Sequence, residues 1–183
     1  MVFNTEALRS GKASYADLVR NIKHSDLYKF TGEYFDTVQS IVADVTDKGV
    51  TFVPLDAALK DQGEQAFTLG HVLTHLTASL EETASIGSVL ARGIAFEGRL
   101  RYEVPWETIH TAQQVHARLK ESRRICHASL DAWPDAPHLD LTVTRIPSFG
   151  PINAIGMHML GIMHGESHFE QLREIMRQSK EQA

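Results

Sequence analysis

Cysteine is almost missing from this 183-residue chain. Cys126 stands alone, so no internal disulfide can form and no thiolate-rich zinc site is available. Any bound metal would have to be held by nitrogen and oxygen. Long apolar runs are missing as well: no stretch approaches the roughly 20 residues needed to cross a bilayer. The opening "MVFNTEALRSGKASY" also lacks the apolar core of a signal peptide. The expected setting is therefore cytoplasmic, with no membrane partner. Positive charge is in deficit. The 18 Lys plus Arg stand against 23 Asp plus Glu, a formal net charge of -5, which argues against a surface built for nucleic acid. The nearest basic cluster, Arg118 to Arg124, is interrupted by Glu121 at helical spacing and reads as a solvated helix face. Twelve Gly and six Pro are too few for a fibrous or disordered class.

What is present is apolar periodicity. Hydrophobic residues make up 43% of the chain, enough for one core without covalent staples, and residues 1–183 are read as one domain. Four segments repeat their apolar residues at three- and four-residue steps. The first spans about Ser14 to Asp47, opens on a capping-box-like Ser14 and Asp17, and has a candidate break at His24-Ser25-Asp26. The second spans about Ala66 to Arg92, with Leu69, Leu73, Leu76, Leu80 and Leu90 on one stripe. The third spans about Trp106 to Trp133 and includes Val115, Leu119, Cys126 and Leu130. The fourth spans about Ile152 to Lys180, after Pro151. No strand-helix alternation occurs, so the fold class expected is all-α, a four-helix bundle. The connections "GVTFVPLDAALKDQGEQ" and "GIAFEGRLRYEVP" are long enough for crossovers, and alternation from Leu139 to Ile146 suggests a short strand or hairpin before the last helix.

Ten histidines are also present, and two pairs lie four residues apart: His71 and His75 in "GHVLTHLTASL", His164 and His168 in "GIMHGESHFEQL". Side chains at i and i+4 stack on one helix face and can aim two ring nitrogens at a single ion. Chance alone would supply roughly half of one such pair, so spacing does not decide the matter. Direction helps more. Met157, Gly161, His164, His168, Leu172 and Ile175 form one stripe, which turns both histidines inward. A buried imidazole needs a hydrogen-bond partner or a metal, because an unpaired polar group in a core is costly. His75 sits on the flank of its leucine stripe, within reach of a neighbouring helix, whereas His71 lies farther towards solvent. His75, His164 and His168 would place three nitrogens on one side of an ion and leave the other side open, the pattern of a catalytic metal. The plain alternative is three ordinary histidines, each satisfied by its own partner. His24, His110, His116, His127, His138 and His158 receive that plain reading, and Cys126 and Met157, Met159 and Met163 are read as core filling.

Two stretches resemble a known family. "FTLGHVLTHLTASLEE", Phe67 to Glu82, is similar to the second-helix motif of the DinB/YfiT-like superfamily, in which an aromatic residue and Ser or Thr lead into a His-Leu pair, here His75-Leu76. "HGESHFEQLREI", His164 to Ile175, resembles that superfamily's closing motif, a His-x-x-x-His followed by Gln-Leu, here Gln171-Leu172. Phe67 replaces the Trp usual at its position, and His71 stands where an acidic residue is common. The resemblance implies a bundle with a divalent metal, zinc or nickel, on His75, His164 and His168, and often a homodimer. Its characterised members include transferases that activate low-molecular-weight thiols such as bacillithiol or mycothiol, and mycothiol-dependent maleylpyruvate isomerases.

Three functions compete. In the first, a low-molecular-weight thiol enters the open position, loses its proton because the cation lowers its pKa, and attacks a small-molecule electrophile. His71 or Glu82, on the flank of His75, is the candidate to orient a ligand imidazole. In the second, the same ion activates water for hydrolysis. In the third, the chain is a non-catalytic stress-response or interaction bundle. Dependence on an added thiol separates the first from the second, and an open path to the ion separates both from the third.

Overall fold

A computed structural model describes residues 8, 10–55, 67–101 and 103–182. It is mostly helical, and no strand occurs among the described residues. Among the described residues, these α-helices follow one another: α1 (Tyr15–Val19), α2 (His24–Ile41), α3 (Asp47–Thr51), α4 (Leu69–Ala91), α5 (Ala112–Asp131), α6 (Ala154–Glu166) and α7 (Phe169–Glu181). Short 3-10 turns stand at Trp106–Thr108 and Pro147–Phe149.

Local chemistry sets the starts. Ser14 and Asp17 form a capping box at α1, and Thr111 and Gln114 form another at α5. Thr68 caps α4 by accepting from the His71 amide, and Asn153 caps α6 by accepting from the Gly156 amide at 3.1 Å. The chain runs as helix where apolar periodicity predicts it, with different ends. The first segment divides into α1 and α2, with α3 starting at its expected end, and the first break falls at Arg20–Lys23, just before the expected His24. There Asp26 draws the Lys23 amide to its carboxylate at 2.9 Å and opens a new helix. The third segment begins as a 3-10 turn and becomes α-helical only at Ala112.

The fourth segment is two helices rather than one. Ser167 Oγ donates to the His164 carbonyl at 2.6 Å, taking the acceptor that the His168 amide would use in a continuous helix, and that amide turns to the Gly165 carbonyl at 3.1 Å. The expected strand or hairpin over Leu139 to Ile146 is a single antiparallel bridge, Val143 with Ile152, closed by two hydrogen bonds of 2.9 Å. Of the first long connection, residues 56–65 lie outside the described residues, as does Ala66 at the expected start of the second helix.

Helix α4 lies against α5 and α6, and α2 lies against the same two. Their shared core contains Leu27, Phe35 and Val38 from α2, Leu73, Leu76 and Leu80 from α4, Leu119, Cys126 and Leu130 from α5, and Met157 from α6, with Leu172 and Ile175 of α7 closing it. Burial of these side chains is the main favourable term in holding the helices together. Two glycines let α6 in close. A Cβ at Gly161 would collide with Thr83 Oγ1 and meet Leu80, and a Cβ at Gly165 would strike the Tyr34 ring. Tyr15 donates its buried hydroxyl to the Gly156 carbonyl at 2.6 Å and stacks on Phe149 at 5.0 Å, which fastens the connection before α6 onto the core. Among the described residues, no helix is long and apolar enough to cross a membrane.

Candidate metal centre

The stripe that carries Met157, Leu172 and Ile175 into the core also turns His164 and His168 inward, although the helix breaks between them. His164 sits in the last turn of α6, and His168 is the residue from which α7 starts. From the facing helix, His75 comes in from the flank of the α4 leucine stripe, because Leu73, Leu76 and Leu80 take the core positions around it. The three half-buried imidazoles meet. One nitrogen of each lies within 4.8 Å of the others, and no other set of three His, Cys, Asp or Glu side chains converges in this way among the described residues. The ring centroids are 4.9 to 5.4 Å apart, and each pair of rings is steeply inclined, by 64 to 79°. This is a three-sided cup rather than a stack.

The hydrogen bonds fix which nitrogens face inward. His168 Nδ1 lies 2.7 Å from Gln171 Oε1, an acceptor, so Nδ1 carries the proton and Nε2 keeps its lone pair for the cup. His75 Nε2 and His164 Nε2 are 3.0 Å apart, and one of them must donate. Arg101 decides which. Its guanidinium has no lone pair to offer and lies with Nη2 2.9 Å from His75 Nδ1, so Nδ1 accepts, and the proton of His75 sits on Nε2 and points at His164. Beside it, Glu103 Oε1 is 4.0 Å from the same Nδ1, and Glu103 Oε2 holds Arg101 at 2.8 Å.

A tetrahedral ion with metal-nitrogen distances of about 2.1 Å separates its ligand nitrogens by roughly 3.4 Å, so the spacing of the cup suits a small divalent cation. The donor set of three imidazoles fits zinc or nickel. One adjustment is required. His75 must release the Nε2 proton and carry one on Nδ1 instead, and Nδ1–H then needs an acceptor, which Arg101 cannot be and Glu103 can. The electrostatics favour neutral rings at His164 and His75. Burial, followed by the charges of His168, His75 and Arg101, pushes His164 down to about 4, and burial with Arg101 also lowers His75.

Other residues singled out from the sequence lie elsewhere. His71 is sandwiched by aromatic rings, 3.8 Å from Phe67 and stacked on Trp106 at 4.7 Å. Glu82 is turned to Arg99 and Arg145, so neither candidate is the group beside His75 Nδ1. Arg101 and Glu103 take that place, from the connection after α4. No periodicity marks them. They arrive because Trp106 docks on His71, one helical turn before His75, and brings the end of the connection with it. Cys126 is buried and its thiol is pushed up to about 12 by burial, which leaves it no thiolate character. His158 is wholly buried, its Nε2 bonded to Thr31 at 2.8 Å and its Nδ1 without a partner among the described residues, and His24 stacks on Trp133 at 4.5 Å.

Hollows of two kinds open beside these helices. One, of about 620 Å³, is lined by α4, α6 and the connection before α6, and reaches the cup at His164. A larger, open groove of about 1170 Å³ between α2 and α7 is lined by none of the three histidines. Its basic side chains are already paired: Arg173 with Glu170, Arg177 with Glu174 and Lys180 with Asp44. The smaller hollow is the one placed for chemistry at the cup. Compared with models of protein families, with curated proteins and with solved structures, the chain finds no match.

Proposed function

We propose that the chain is a metal-dependent transferase that activates a low-molecular-weight thiol, built as a four-helix bundle of the DinB/YfiT-like kind. The observation that carries this reading is the convergence of His75, His164 and His168 beside a hollow large enough for a small molecule. A cation held there would lower the pKa of a thiol or water at its open side. The chain's own groups do the rest. Gln171 fixes the tautomer of His168, Glu103 would take the Nδ1 proton of His75, and the hollow beside His164 would hold the electrophile against the incoming sulfur. In the transfer, sulfur bonds to the electrophilic carbon, the leaving group departs with the bonding pair, and the thiol proton passes to buffer. A cytoplasmic homodimer belongs to the same proposal, with sedimentation equilibrium as the measure of its assembly.

The test begins with metal content. Protein dialysed against zinc or nickel should retain about one ion per chain, while His164→Ala and His168→Ala should retain none and melt near the parent, since the core surrounds the cup without depending on it. Retention of metal by either variant would remove the assignment. With metal in place, turnover of an electrophile only when a thiol is added supports the transferase. Turnover without thiol makes the chain a hydrolase instead, and no turnover with either would favour an interaction role.

A further inference from the structure

The hollow at His164 has an uneven lining. Leu160 and Met163 of α6 and Ile146 and Phe149 of the preceding connection make most of its wall apolar. Into it comes Ser79 of α4, one helical turn beyond His75 and therefore on the same helix face. Ser79 is 7% exposed, and its Oγ finds no hydrogen-bond partner among the described residues. A buried hydroxyl left unpaired is unusual enough in a folded protein to require an explanation. The carboxylate that lines the same hollow does not supply one. Glu82 Oε1 accepts from Arg99 Nε at 2.9 Å, Arg145 Nη2 at 2.8 Å and the Leu100 amide at 3.3 Å, and Oε2 accepts from Arg99 Nη2 at 3.3 Å. Both oxygens are occupied, so Glu82 is a structural anion that ties two connections to α4.

We infer that this hollow binds the electrophile of the reaction proposed above, and that the electrophile has a compact apolar body, aryl or branched alkyl, with one oxygen that Ser79 Oγ hydrogen-bonds. The inference rests on that reading for the word electrophile, but the binding site stands on the hollow and Ser79 alone. The division of substrates follows from desolvation. A thiol whose carrier bears several hydroxyls would set some of them against Leu160, Met163, Ile146 and Phe149, where they lose their water and gain no partner. An apolar body loses nothing there and fills the wall by contact. The thiol's polar carrier therefore stays outside, on the side of the cup away from the hollow, and only the second reactant enters.

The experiment uses the full chain without metal, so that it does not depend on the metal reading. Amide shifts are followed by NMR while acetophenone, ethylbenzene or N-acetylglucosamine is added. Acetophenone should saturate shifts at Ser79, Thr83 and Leu160, and Ser79→Ala should weaken it roughly tenfold, the value of one lost hydrogen bond. Ethylbenzene, with the same ring and no oxygen, should bind parent and Ser79→Ala within about twofold of each other. N-acetylglucosamine should leave these amides unmoved. Met163→Trp, which fills the hollow from a half-buried position, should abolish both aromatic titrations and guards against a Ser79 variant that fails to fold. Saturation by N-acetylglucosamine, equal weakening of both aromatics by Ser79→Ala, or absence of acetophenone shifts at these amides would overturn the inference. Zinc that failed to bind would sink the metal reading and leave this result untouched.

Discussion

Acidification from pH 7 to pH 5 distinguishes a buried histidine cup from three independent imidazoles. Protons and metal compete for the same lone pairs, so acid must weaken binding, and the question is by how much. A free imidazole with a pKa of about 6.5 loses roughly 25-fold in available lone pair over this interval, and three of them together lose about 10⁴-fold. In the folded chain burial has pushed His164 down to about 4, so it is still neutral at pH 5 and contributes almost nothing to the loss. His75 is lowered as well, so acid should cost the folded cup far less than the roughly 10⁴-fold of three free imidazoles. Calorimetric titration of zinc into metal-free protein at the two pH values measures the ratio directly. A loss near 10⁴-fold would mean that the rings titrate independently and the cup is not formed in solution. No loss at all would remove nitrogen ligation altogether.

Further outcomes are expected at four residues. Replacing Arg101 with Met frees His75 Nδ1 from a donor and should tighten zinc about tenfold, whereas Glu103→Gln, which removes the carboxylate acceptor, should loosen it by roughly 10- to 100-fold, both read by competition with a zinc indicator. The Gly161→Ala variant should melt lower by about 1–3 kcal/mol of stability in a denaturant titration, because the new methyl meets Thr83 and Leu80. The same variant should bind zinc more weakly, since α6 must move away from α4. His158, wholly buried, has its pKa pushed down to about 3 by burial, so the unfolded chain takes up a proton that the folded chain refuses. Stability should therefore fall as pH drops from 7 to 4 by about 3 kcal/mol on this residue's account, and His158→Gln, which keeps a partner for Thr31, should remove that part of the slope.

The helices were legible because their apolar residues recur with a period that packing enforces: the leucines of α4 and the Val115, Leu119 and Cys126 series of α5 are all buried where periodicity puts them. The ends were less so. A single hydroxyl, Ser167 Oγ, decides whether the last segment is one helix or two, and periodicity is blind to it because the stripe continues across the break. His164 and His168 could be picked out by direction along that stripe, and His75 by its place on the flank of α4 and by the resemblance, and the structure brings the three together. Arg101, Glu103 and Ser79 could not. The first two owe their place to an aromatic contact between Trp106 and His71 that no spacing announces, and Ser79 stands out only once its hydroxyl is seen to lack a partner. His71 was read as a ring on the solvent side, but its faces are covered by Phe67 and Trp106. Flanking aromatics from distant connections redraw a helix's exposed side in a way that its own sequence does not encode.

The interruption at Ser167 has one more effect. Were α6 and α7 a single rod, the rise per residue would dictate the spread of the last two imidazoles, and the cup would accept one ionic radius. Because the helix is broken there, His168 is placed by the start of a second helix, and the spread of the two imidazoles is set by how Leu172 and Ile175 seat α7 on the core. A change at those two side chains would reach the cup without touching any histidine.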